Sequence, residues 1–310
     1  MQKTVIILNP AAAGGRAAQH FKRIKDKIDF LFPNVPISIS ERPGHVRDLA
    51  RQFAHDGIEQ IIGAGGDGTF NQIVNGIFEN GIALNPDLVL GTLPIGSGSD
   101  FIRSLGISTS LGDALSILQR GKIALIDVGR VSLQAYDGSA KDHLFLNILS
   151  CGLSADIALR VNQSSAWGGP FFRYLRNSIA GIVTFQSHTN HLHYNGNGTQ
   201  YKGPFTLLAV ANGRFFGGGM FVAPQAQIDD GKFQIVLIKD MPKLTLLARF
   251  PSIYKGEHLN LAETLTCQNE QIEASASQRV NVETDGESIG VLPMRVQCLK
   301  KVLKVIVGNF

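Results

Sequence analysis

Over roughly the first 125 positions, short continuous apolar runs alternate with stretches in which apolar residues recur every three or four positions. The runs TVIIL, VPISIS, IEQIIG and LVLGTLP predict strands, and RAAQHFKRIKDKIDFLF, HVRDLARQFAHDG and FNQIVNGIFEN between them predict helices. That rhythm predicts an α/β domain, residues 1–125, built on a mostly parallel sheet covered by helices. From about Lys122 the pattern changes to strand-like runs: IALIDVGRVSL, HLFLNIL, HLHY, FTLLAVAN, FQIVLIK and QRVNVET, with turn signals such as Asn195-Gly196-Asn197-Gly198 between them. Residues 126–295 are therefore expected to form a mainly antiparallel β domain. Two helical stretches interrupt it, FFRYLRNSIAGIVTF and LTLLARFPSIYKGEHL, the second broken at Pro251.

Composition narrows the functional classes. Hydrophobic residues make up 44% of the 310 positions and charged residues 17%, which excludes a disordered chain or a coiled coil. The 34 glycines cluster instead of recurring every third position, so they mark tight loops and not collagen. A net charge of +4 mildly favours anionic partners, but no basic stripe with interleaved aromatics points to nucleic acid. Cys151, Cys267 and Cys298 are odd in number and widely spaced, which predicts buried thiols in a reducing compartment, the cytoplasm. Lys3, the apolar Val5 to Leu8 and Ala11 to Ala13 resemble a signal peptide whose apolar core is too short, and read better as a buried strand. No run approaches 18 apolar residues, so any membrane association is expected to be peripheral.

In open α/β sheets ligands bind beyond the carboxyl ends of the strands. After the first strand comes Asn9-Pro10-Ala11-Ala12-Ala13-Gly14-Gly15; after the third comes Gly63-Ala64-Gly65-Gly66-Asp67-Gly68-Thr69. Both read as loops whose backbone N–H groups approach an anion at a helix N-terminus, although the first is equally a plain tight turn. Residues 63 to 68 match GxGxxG, yet Asp67 would repel a bare pyrophosphate unless a divalent cation bridged them. The carboxylate about 20 residues on, Asp87, precedes the next strand instead of ending it, which weakens a hydride-transfer reading, and Thr69 stands where a P-loop needs lysine. A third loop, Gly96-Ser97-Gly98-Ser99-Asp100-Phe101, again ends in an acid, which could equally be a helix cap. Downstream, Thr284-Asp285-Gly286-Glu287 sets two carboxylates around a glycine. It reads either as a hairpin turn or as a pair in which one pKa is raised towards a usable general base.

Together these segments resemble the diacylglycerol kinase catalytic family, bacterial lipid kinases related to sphingosine and ceramide kinases. The shared GGDGT ties them more distantly to NAD kinases and phosphofructokinases. The likeness runs from NPAAAGG through SERPGH, GGDGTFNQIVNG, LPIGSGSDFIRSLGI and ANGRFFGGGMFVAPQAQIDDG to TDGE. It implies a NAD-kinase-like first domain, to which residues 296–310 return, and a β-sandwich second domain. It implies ATP and Mg²⁺, with Asn9, Ser40, Gly65, Gly66, Asp67, Gly68, Thr69, Phe70, Asn71 and Ser97 contacting nucleotide and Asp67 holding the magnesium. Asp100 would face the substrate, and Glu287 or Asp285 would accept the proton of a lipid hydroxyl entering between the domains. Asp230, with the carbonyls of Gln227 and Lys232, would hold a structural magnesium. Gln72 and Ser99 depart from the family pattern, which has Glu and Asn there.

The implied reaction is ATP- and magnesium-dependent phosphorylation of a lipid hydroxyl, diacylglycerol or a related lipid, in phospholipid biosynthesis. A soluble-metabolite kinase acting on NAD and a catalytically silent nucleotide-binding regulator are the alternatives, and a homodimer stays open. Trp167, Phe171, Phe172 and Tyr174 with Arg173 and Arg176 form either a membrane-docking patch or a core-facing stripe. His188, His191 and His193 lack a fourth zinc ligand and read as surface residues.

Overall fold

The computed structural model describes residues 3–96, 100–163, 170–185, 191–196 and 198–308. Its contacts divide the chain into two compact units, residues 1–128 with 300–310, and residues 129–299.

The first unit begins with β1 (Thr4–Leu8), α1 (Ala17–Leu31), β2 (Ile37–Ile39), α2 (His45–His55), β3 (Gln60–Gly65) and α3 (Asp67–Ile77). A small hairpin, β4 (Phe78–Glu79) with β5 (Ile82–Ala83), precedes β6 (Val89–Pro94), α4 (Asp100–Ser104) and α5 (Leu111–Arg120). Strands β1 and β2, β1 and β3, and β3 and β6 pair in parallel. Val5 to Leu8 in β1, Ile61, Ile62 and Leu90 are all at most 4% exposed, so the apolar runs are doubly covered strands of the kind parallel sheets require. Phe70, Ile73 and Val74 of α3 are completely buried, and burying a side chain of this size stabilises by about 1.5–3 kcal/mol.

The second unit holds β8 (Ala140–Phe145), β9 (Ile148–Gly152), α6 (Leu153–Gln163), α7 (Pro170–Thr184), β10 (His191–Gly196), β11 (Thr199–Ala211), β12 (Phe233–Lys239), α8 (Lys243–Arg249), β13 (Thr264–Asn269), β14 (Gln271–Ala276) and β15 (Asn281–Thr284). Its ladders are antiparallel, including β9 with β11, β11 with β12, β10 with β14 and β9 with β15. Two long strands, β7 (Ile123–Gln134) and β16 (Glu287–Ile306), each have residues in both units. The last residues of β16 pair in parallel with β6 of the first unit, Lys304 opposite Val89. Among the described residues antiparallel ladders therefore predominate, and the parallel ones join β2, β1, β3, β6 and the end of β16.

Several expectations need correction. The glycine segment at residues 63–69 is not a loop: β3 runs through Gly65 and α3 starts at Asp67, leaving Gly66 as the junction. Strands β13, β14 and β16 lie outside the runs that predict strands above, although β14 alternates regularly, with Ile272 and Ala274 buried between exposed Gln271, Glu273 and Ser275. Beyond Arg249 the helix tightens into 3₁₀ turns at Phe250–Lys255 and Glu257–Asn260. Cys151 and Cys298 are buried but Cys267 is only partly so.

Candidate active site

The first cluster sits at the carboxyl ends of three neighbouring strands. Asn9 follows β1, and its Nδ2 donates to Thr69 Oγ1 at 3.0 Å, in the first turn of α3. Its Oδ1 accepts the Ala11 amide at 3.2 Å and the hydroxyl of Ser40, beyond β2, at 3.5 Å. Asn9, Ser40 and Thr69 thus form one hydrogen-bonded chain. Asn71 is buried. Phe70 has its ring fully in the core, 6.4 Å from that of Phe101, so a ligand could meet only its backbone.

Packing explains two of the glycines directly. A Cβ on Gly65 would stand 2.1 Å from Thr69 Oγ1, and one on Gly96 would stand 2.3 Å from Gly66 Cα. The carbonyl of Gly65 also accepts the amides of Ile95 at 3.1 Å and Gly96 at 2.9 Å. Chain thus passes against chain at the ends of β3 and β6, where side chains would hold the two apart.

Asp67, half-buried at the start of α3, turns its carboxylate to the N-terminus of α4. It accepts the amides of Asp100 at 3.1 Å and Phe101 at 3.4 Å. The unpaired N–H groups of a helix start favour an anion there. Asp100 itself is buried, with Arg103 3.9 Å away. Ser97 lies outside the described residues. The donor chemistry fits Mg²⁺ in kind: the half-buried Asp67 carboxylate is a hard oxygen donor of the sort this ion takes.

The second cluster belongs to the other unit. Asp285 and Gly286 link β15 to β16 with φ of +50° and +86°, the positive values that a type I′ hairpin turn demands at both central residues. Asp285 Oδ2 accepts the Leu146 amide at 2.9 Å, and Oδ1 accepts those of Asn147 at 2.9 Å and Ile148 at 3.1 Å. Its own amide donates to the Ile148 carbonyl at 2.9 Å. Asp285 is thereby tied to the backbone leading into β9, whereas Glu287 stands at the first position after the turn. Burial pushes the Glu287 carboxyl above its ordinary range and the neighbouring Asp285 charge adds to this, with Lys141 opposing.

Sequence reading passed over Glu283. It is 3% exposed, accepts the Ser150 hydroxyl and, through Oε2, the Gly286 amide at 2.9 Å. Burial foremost, with a smaller contribution from Asp285, pushes its carboxyl up to about 7. The one available signal was the polar position between Val282 and Thr284 in a short strand. Alternation with Val280 and Val282 points that position to solvent.

Asp230 is exposed, and its Oδ1 accepts the Lys232 amide at 3.0 Å, closing a local turn in which Gln227 and Lys232 are exposed as well. Among the described residues, no three His, Cys, Asp or Glu side chains gather as a metal cluster. His193 is exposed, and His188 lies outside the described residues. Trp167 and the side chains of Phe171, Phe172, Arg173 and Tyr174 also fall outside them, while Arg176 is exposed on α7. On the same helix Ile179 and Val183 are exposed, and Leu244 on α8 is 82% exposed. Lys243 Nζ donates to the Val183 carbonyl at 2.5 Å, joining the start of α8 to the end of α7. Among the described residues no helix is long and apolar enough to cross a membrane.

Residues 3–131 match the diacylglycerol kinase catalytic domain, and residues 147–307 match the YegS C-terminal NAD kinase beta sandwich-like domain. A diacylglycerol kinase of Bacillus subtilis is 24% identical over 94% of this chain and 92% of its own length. A Yersinia enterocolitica protein described as "probable lipid kinase YegS-like" is 26% identical over 96% of this chain and 97% of its own. Two Bacillus anthracis crystal structures superpose with TM-scores of 0.76, at 23% identity over 99% of this chain and 98% of that one, and 0.72, at 20% over 99% and 97%. The second of these is a diacylglycerol kinase. At such identities the likeness to the two structures is one of fold.

Proposed function

The chain belongs to the diacylglycerol kinase catalytic family of lipid kinases, and from that premise we propose that it transfers the γ-phosphoryl group of ATP, with Mg²⁺, to the hydroxyl of diacylglycerol or a related membrane lipid. The observation that carries this reading is the convergence of Asn9, Ser40, Thr69 and Asp67 at the carboxyl ends of β1, β2 and β3, where such sheets bind ligands. Asn9, Ser40 and Thr69 supply polar groups for the nucleotide, with Gly65, Gly66, Gly68, Asn71 and Ser97 beside them. Asp67 holds the magnesium, which when bound neutralises phosphate charge. Asp100 lies on the substrate side, and Asp230 with the Gln227 and Lys232 carbonyls braces its turn through a structural magnesium.

An alcohol is far too weak an acid to lose its proton unaided at neutral pH, so a carboxylate must stand ready to receive it. Of the two candidates, Asp285 has its oxygens committed to three backbone amides. Glu287 therefore takes the proton in this reading, and its upward-shifted carboxyl makes it the better matched base. The lipid is met at a membrane surface, with Ile179, Val183 and Leu244 entering the interface and Arg176, Lys243 and Arg249 facing anionic headgroups.

The test is ATP consumption with magnesium across diacylglycerol, phosphatidylglycerol, a sphingoid base, a polyprenol and NAD. Phosphorylation of a lipid is expected. Turnover of NAD alone would identify a soluble-metabolite kinase, and nucleotide binding without turnover would identify a silent regulator.

A further inference from the structure

Glu283 has no role in the reaction as described, yet burying a carboxyl is costly unless fixed partners compensate it. Its partners are specific. Ser150 lies directly across the β9–β15 ladder from it and donates its hydroxyl to Oε1. Oε2 accepts the amide of Gly286, the second residue of the turn. In a two-residue hairpin the closing hydrogen bond joins the residues flanking the turn, so the amide of the second central residue needs an acceptor from elsewhere. Glu283 provides one. The ladder with β16 shifts register opposite Val282 and Glu283, leaving Ile289 of β16 as the extra residue, while the ladder with β9 stays regular through Glu283. Two residues earlier on the same face, Asn281 at the start of β15 donates to Asp156 on α6 at 2.8 Å, while Val282 on the other face is buried in the core. Asp285 acts on both Glu283 and Glu287, Lys141 acts on Glu287, and Glu283 with Asp156 acts in turn on the buried Cys151 thiol.

We infer that Glu283 is a positioning residue for Glu287: by holding the Gly286 amide against β9 it sets the turn from which Glu287 departs. The inference rests on the reading of Glu287 as proton acceptor. Asp285 fixes the same turn through the amides of residues 146–148, so the turn is held on two sides by two carboxyls. The Glu283 contact reaches Gly286, the residue bonded directly to Glu287.

The experiment compares E283L, E283Q, S150A and E287Q in the full chain, with thermal unfolding and steady-state kinetics on ATP, magnesium and lipid. Leucine leaves the Gly286 amide without this acceptor, and kcat should fall about 10- to 100-fold with the KM for ATP changed less than about twofold. Glutamine can still accept the Gly286 amide and donate to Ser150, so E283Q should recover kcat to within about threefold of wild type. A merely structural role would lower the melting temperature of E283L and leave kcat per folded molecule alone. Wild-type kcat in folded E283L, with E287Q inactive, overturns the inference and spares the proposed function. Full activity in E287Q overturns the reading of Glu287 as proton acceptor and the inference with it, and wild type that phosphorylates no lipid overturns the proposed function itself. Should E283L not fold, S150A decides: a loss in kcat of about three- to tenfold at constant KM supports positioning, and wild-type kcat refutes it.

Discussion

Asp67 Oδ2 accepts the amide hydrogen of Asp100 at 3.1 Å, across 33 positions of sequence. One carboxylate thus begins α3 and caps α4, and in the proposed reaction it also holds the metal. These roles separate by substitution. Asp67→Asn keeps an acceptor for α4 and should unfold within a few degrees of wild type, whereas Asp67→Ala should lose about 1 kcal/mol of stability with the cap. Both should lose at least about 100-fold in turnover, because each removes the anionic ligand. Phosphoryl transfer and calorimetry read the two effects, and wild-type turnover in Asp67→Asn would defeat the assignment.

Glu287→Gln should fold normally and lose about 10²- to 10⁴-fold in kcat, the usual contribution of a general base. The acid limb of the wild-type kcat/KM profile should lie above the ordinary carboxylate range, following the raised Glu287 carboxyl, and should vanish in the variant.

Asp285→Asn should behave in the opposite way. An amide has a single oxygen for the amides of Leu146, Asn147 and Ile148, so about 1–3 kcal/mol of stability should be lost. A melting temperature equal to wild type together with a kcat as low as that of Glu287→Gln would exchange the roles of the two acids.

Glu283 makes stability depend on pH with a definite sign. Its carboxyl is raised from 4.5 to about 7 on folding, so the folded chain binds the proton more tightly than the unfolded one. The stabilisation is complete below about pH 4.5 and is lost as pH rises through about 7, amounting to on the order of 3 kcal/mol. Denaturation of wild type and E283Q at a series of pH values should show this decline in the difference between them. A difference independent of pH from 4.5 to 7 would refute it.

Leu244→Asp combined with Val183→Asp should weaken co-sedimentation with vesicles of anionic lipid while leaving the melting temperature unchanged, since both side chains are exposed. Added salt should weaken wild-type binding as it screens Arg176, Lys243 and Arg249. Undiminished binding by the double variant would place the docking face elsewhere.

Local chemistry made much of this protein readable from its sequence. The runs TVIIL and LVLGTLP became β1 and β6 because an uninterrupted apolar stretch is stable only when covered on both faces. Asp285-Gly286 became a hairpin because few other residue pairs adopt two positive φ angles in succession. Other features depended on residues brought together from distant parts of the chain. Gly65 and Gly96 are glycines because Thr69 and Gly66 occupy the space a side chain would need, and no local pattern records that crowding. Asp67 meets Asp100, and Glu283 meets Ser150, only after separate strands and helices have packed. The strand pattern around Glu283 specifies alternation, but whether a face meets water or protein is decided by what the rest of the chain lays over it. That covering turns an ordinary polar position into a buried acid beneath the turn that carries Glu287.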